Sequence, residues 1–100
     1  MGDTLPRDIK IQKNIRQNMI EVAVSTQSLH GGHITRRIVI YPRESFIQYH
    51  KEYHTYDNVG REVLAEKVVS KDKLTRIISR AKRVKTYEDV VLLIRDVEDA

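Results

Sequence analysis

The segment Ser70–Lys85, SKDKLTRIISRAKRVK, constrains the chain more than any other stretch. At ~100° per residue, Leu74, Ile77, Ile78 and Ala81 fall on one apolar stripe, with Val84 at its edge. Arg76, Arg80 and Arg83 cluster on the opposite side, with Lys73 close by. Ser70 is positioned to accept from an otherwise unpaired amide of the first turn. Asp72 follows in that turn and the cations come later, an order that suits the helix dipole. The spacing therefore predicts an amphipathic helix with one anchoring side and one basic side.

The charge on that helix is local. Residues 71–85 hold seven Lys or Arg against one Asp, while the whole chain is only +4, so the remainder is net acidic. Residues 86–100 carry five acids and one Arg, and those carboxylates can lie against the basic helix. One hundred residues, 40% hydrophobic and 32% charged, make a single globular domain over 9–97. Residues 1–8 read as a flexible tail and 98–100 as a frayed end. The longest apolar run, Val90–Ile94, is far too short to span a bilayer. With no cysteine and no signal-peptide pattern, the natural reading is a cytoplasmic protein without disulfides or thiolate metal sites.

Two readings compete over Ile9–Ser25. Ile11, Ile15, Met19 and Val22 recur at helical spacing, whereas Ile20, Val22 and Val24 alternate as in a half-buried strand. The balance favours a helical or irregular lead to about Asn18 and a strand over Met19–Thr26. Gly31-Gly32 reads as a turn, Ile34–Tyr41 as the second strand of a hairpin, and Pro42 as its stop. Arg43–Tyr56 reads as a helix, with Phe46, Tyr49, His50, Tyr53 and Tyr56 on one side. Asp57-Asn58-Val59-Gly60 ends it, and Arg61–Val69 reads as a strand. Over Thr86–Val97 a capping box, Thr86 with Asp89, argues for a helix. Val90-Val91-Leu92-Leu93-Ile94 argues for a strand buried on both faces, and β-branching favours the strand. The expected fold is α+β, a sheet of about four strands, opening with a β-hairpin, and two helices on one face. A crossover within 61–95 would be right-handed if its strands are parallel neighbours.

Arginine forks bind phosphates bidentately, and backbone contacts dominate nucleic-acid affinity. Lys73, Arg76, Arg80 and Arg83 are therefore the candidate nucleic-acid-binding residues, with Arg36, Arg37 and Arg43 as an extension and Lys10, Lys13 and Arg16 as further cations. The leading expectation is a small non-enzymatic nucleic-acid-binding or regulatory protein. The alternative is an interaction module, an inhibitor or adaptor that binds an acidic partner or pairs through a sheet edge, and a homodimer would cover such edges.

Other motifs are weaker. His50 and His54 stand four apart, a metal-sharing spacing on a helix, and His30 and His33 flank the glycine pair. Only two ligands are locally implied, so no metal or cofactor is expected. The aromatics sit at core spacing rather than as a stacking platform. Glu62 and Glu66 with Lys67 faintly suggest a metal-dependent nuclease, and no glycine loop or triad marks an enzyme. Arg36–Pro42 followed by a helix resembles the opening of ribbon–helix–helix repressors over roughly 20 residues. Past Gly60 the apolar phase breaks where that family's second helix starts, and the Met19–Thr26 strand has no place in its pattern, so no family is assigned.

Overall fold

The computed structural model describes residues 9–29 and 31–100, so the expectations for the tail 1–8 and for His30 lie outside the described residues. Five strands come first: β1 (Lys10–Ile15), β2 (Ile20–Gln27), β3 (His33–Tyr41), β4 (Phe46–His54) and β5 (Val59–Val68). Two helices follow, α1 (Lys71–Lys82) and α2 (Tyr87–Asp99). The strands form one antiparallel sheet in sequence order, β1-β2-β3-β4-β5. The α+β class and the β2–β3 hairpin agree with the sequence reading, and the sheet has five strands rather than four. With every neighbouring pair antiparallel, the chain has no crossover over 61–95.

Three segments differ from expectation. The lead to Asn18 is strand β1, because Ile11 and Ile15 pair with Val24 and Ile20 and add to the same side of the sheet. A separation of four residues satisfies both a helix and a strand face, and only the neighbour β2 decides between them. The aromatic segment is strand β4, not a helix. Ile47 and Tyr49 point into the core while Gln48 and His50 point away, and β3 hydrogen-bonds along its full length. Pro42 follows the last residue of β3, as expected of a stop, and begins a tight turn in which Ser45 takes a left-handed φ of 51°.

Thr86–Val97 is helix α2 rather than a strand. The Thr86 hydroxyl accepts from Asp89 N–H, and the Asp89 carboxylate accepts from the Thr86 N–H at 3.0 Å. That capping box nucleates the helix and outweighs β-branching. Val90, Leu93 and Val97 are buried, while Val91 and Leu92 are 37% and 42% exposed, as helical spacing requires.

Both helices pack on one sheet face. Ile20, Val22, Val24, Ile38, Ile40, Ile47 and Tyr49 meet Leu74, Ile77 and Ala81 of α1, Val84 of the link, and Val90, Leu93 and Val97 of α2. Ser70 caps α1, accepting from Lys73 N–H at 3.3 Å. Two strand lysines close the helix C-termini. Lys13 Nζ of β1 donates to the Lys82 and Val84 carbonyls at 2.7 and 3.0 Å. Lys67 Nζ of β5 donates to the carbonyls of Val97, Glu98 and Ala100 at 2.9, 2.6 and 3.2 Å. Each ammonium meets the negative end of a helix dipole and donates to the last carbonyls there, of which Val97 O also accepts from Ala100 N–H at 3.3 Å. α1 thus runs from the end of β5 to β1, and α2 returns to β5.

Candidate nucleic-acid interface

The basic side of α1 stays outside the core because Leu74, Ile77 and Ala81 turn the opposite side to the sheet. Lys73, Arg76, Arg80 and Arg83 are all exposed and line an open cleft of about 560 Å³ between the helices. Arg76 and Arg80 stand one turn apart, ~6 Å along the axis, and Arg83 lies one turn further. Ile77 and Ser79 also line it from α1, and Asp89, Asp96 and Asp99 line it from the side of α2.

The acidic C-terminal segment does reach the basic helix, as the charge balance suggested, but it neutralises only part of it. Asp96 ion-pairs with Arg80, both side chains being more than a third exposed, so the pair is screened by solvent and contributes little to stability. The Asp89 carboxylate accepts from the Lys85 and Thr86 amides at 2.8 and 3.0 Å. Those two bonds hold its pKa below the usual carboxylate range and keep it charged at the start of α2. Arg83 donates to Ser79 Oγ at 2.5 Å. Lys73 and Arg76 make no ion pair with any described residue. No aromatic side chain lines the cleft, so it offers charge and no stacking surface.

The extension to other arginines does not hold as one patch. Arg43 is exposed on the β3–β4 turn, which is tied to the approach to α1 by Val69 N–H donating to Ser45 O at 2.9 Å. Arg36 and Arg37 point to opposite faces of β3, as consecutive strand residues must. Arg36 lies on the helix side and donates to the Tyr49 hydroxyl at 2.9 Å, within a pocket also lined by Tyr87 and Glu98. Arg37 lies on the open face and donates to Glu21 at 2.6 Å and Glu52 at 3.1 Å, diagonally across both neighbouring strands. Burial alone would lower the Arg37 pKa, but the two carboxylates raise it. Burial opposes ionisation of Glu52 as well, and Arg37 outweighs it, leaving the carboxyl below its ordinary range. Lys13 is committed to the α1 C-terminus.

The remaining candidates are dispersed. On β4 the four-residue spacing of His50 and His54 spans ~13 Å of strand rather than one helical turn. His54 instead faces His33 across the ladder. His50 is 3% exposed, with Nε2 3.4 Å from Glu52 Oε2 and no hydrogen bond completed by either ring nitrogen. Burial pushes its pKa down, reinforced by the Arg61 and Arg37 charges and opposed by Glu52. Glu62 and Glu66 lie on opposite faces, because Leu64 is an extra residue in a bulge of β5. Tyr53 donates to Glu62 on one face and Gln48 to Glu66 on the other. Among the described residues no three acidic or histidine side chains gather as a metal site, and no helix is long and apolar enough to cross a membrane.

Sequence reasoning missed the Glu21–Arg37–Glu52 network and the two lysine caps. Their partners lie 15 or more residues apart, and only strand register joins them. No protein-family model matches the chain, and no curated protein and no solved structure matches it significantly.

Proposed function

We propose that this protein binds nucleic acid without catalysing a reaction on it, holding phosphates along the outer side of α1. The observation that carries the reading is the single row of Lys73, Arg76, Arg80 and Arg83 on one open cleft, with Lys73 and Arg76 free of carboxylate partners among the described residues. Guanidinium groups one turn apart suit successive backbone phosphates, and Asp96 on Arg80 is an exposed contact that a phosphate can displace. A cleft with no aromatic lining supports backbone contact rather than base stacking, so the binding is sequence-tolerant. Arg43, exposed on the β3–β4 turn and outside the cleft lining, is a further cation that a longer nucleic acid can reach.

Fluorescence anisotropy with labelled duplex DNA, single-stranded DNA and RNA across a salt series tests this. Four phosphate contacts give a slope of about −3.6 in log affinity against log salt for duplex DNA, a loss of roughly 100-fold between 50 and 200 mM. Replacing Arg76, Arg80 and Arg83 together with alanine should bring the slope to about −1. Unchanged affinity and slope in that triple variant, or no binding at the lowest salt, would overturn the proposal. Discrete capture of an acidic protein with no retention on any nucleic acid would do the same.

A further inference from the structure

We infer that the protein forms a two-fold dimer in which β5 pairs antiparallel with β5 of a second copy, about an axis between Val63 and Leu64. The two edges of the sheet are differently built. Both edges carry charged side chains, but β1 is only six residues long and its Lys13 is taken up by the α1 C-terminus. β5 is ten residues long, has no strand on its outer side among the described residues, and exposes Val59 and Val68 at 76% each, Val63 at 46% and Leu64 at 40%. A long edge with exposed valines and an unpaired backbone is a template for another strand.

The occupant is identified by the strand's own charge pattern. In a two-fold sheet extension, residues facing each other must lie on the same face. In a regular strand this requires the two residue numbers to sum to an even value. The bulge at Leu64 reverses that parity, since Val63 opposes His50 and Ala65 opposes Tyr49. Arg61 and Glu66, register partners of Glu52 and Gln48, therefore share the open face, as do Val59 and Val68. Gly60, Glu62, Ala65 and Lys67 share the helix side. An axis between Val63 and Leu64 sets Arg61 opposite Glu66 of the second copy and Val59 opposite Val68, each pair occurring twice. It sets Lys67, already engaged at the α2 C-terminus, opposite Gly60, which has open space around it.

The neighbouring registers of the same parity fit worse. One sets Val59 against Glu66; the other sets Arg61 against Val68 and Val63 against Glu66. A second copy is thus a self-complementary partner, in one register, for an edge that otherwise stays open. Because the axis is perpendicular to the sheet, both α1 helices lie on the same side of a ten-stranded sheet. The inference does not depend on what α1 binds.

Sedimentation velocity and light scattering of the full chain over a concentration series test it. The expected mass is twice 11.7 kDa. Arg61→Glu should weaken the dimer at least about tenfold by facing two carboxylates twice, and adding Glu66→Arg should restore it. A monomer mass across the whole series overturns the dimer. A dimer indifferent to Arg61→Glu, or one that the double exchange fails to restore while its circular dichroism matches the parent, overturns the β5 register.

Discussion

Alanine replacement along Val90–Ile94 tests the packing of α2 directly, because helix and strand bury different members of that run. Leu93 is fully buried and Val90 nearly so, whereas Val91 and Leu92 are 37% and 42% exposed. Leu93→Ala removes three buried carbons, about 2.4 kcal/mol at about 0.8 kcal/mol each, before any cavity is counted. With partial relaxation of the surrounding core the total should be about 3 kcal/mol, within the roughly 2–5 range for such truncations. Val90→Ala should cost about 2 kcal/mol. Leu92→Ala should cost under about 1 kcal/mol. Val91→Ala should cost close to nothing, since alanine's better helix propensity offsets the small apolar area the valine covers. Urea denaturation followed by circular dichroism would read these as shifts in midpoint at constant slope. In thermal melts Leu93→Ala should lose about 15 °C or more for a domain of this size. Equal losses for Leu92 and Leu93, or losses alternating at every second residue, would refute the helical packing.

Further outcomes follow from two other sites. His50 has a folded pKa below its ordinary 6.5, through burial and the Arg61 and Arg37 charges acting against Glu52, so the unfolded chain takes up the proton first. Its contribution is complete above about pH 6.5 and is lost as pH falls through the folded value, with a slope of at most about 1.4 kcal/mol per pH unit. His50→Phe, which removes two unpartnered ring nitrogens, should flatten stability between about pH 7 and 5.5 without weakening the protein at pH 7. An unchanged slope would count against it. Loss of the depressed Glu52 carboxylate falls in a separate window, below its ordinary 4.5. Gly32 has φ of 76°, and a Cβ there would run into His54 O and stand 2.7 Å from Thr55 Cα. Gly32→Ala should therefore cost about 2 kcal/mol or more in melts, while Gly60→Ala, with open space around it, should be near neutral.

Legibility tracked the range of the interactions. The α1 helix could be read because its apolar stripe, its Ser70 cap and its basic side lie within 16 residues of each other. The β2–β3 hairpin could be read because alternation flanks a glycine pair whose φ values, 85° and 76°, are both in the left-handed region. Of the candidate site, the Lys73–Arg83 row was legible for the same reason as its helix. Whether Arg36 and Arg37 belonged to it was not, since that depended on which way β3 faced and which acids β2 and β4 brought alongside.

Two local signals conflicted, and tertiary structure chose between them. Aromatics at helical spacing in 46–56 and five apolar residues at 90–94 each fit two periods over so short a span. β3 made the first a strand by offering a full ladder of backbone partners. The sheet made the second a helix, because its helix-facing side needed one more apolar stripe and the capping box could start one. What the sequence determined alone was short-range: periodicity, caps, turns and the local excess of positive charge. Strand register, the burial of His50, the lysine caps and the partners of each arginine were decided by tertiary structure. Those features join residues distant in the chain, and only the folded backbone sets which of them meet.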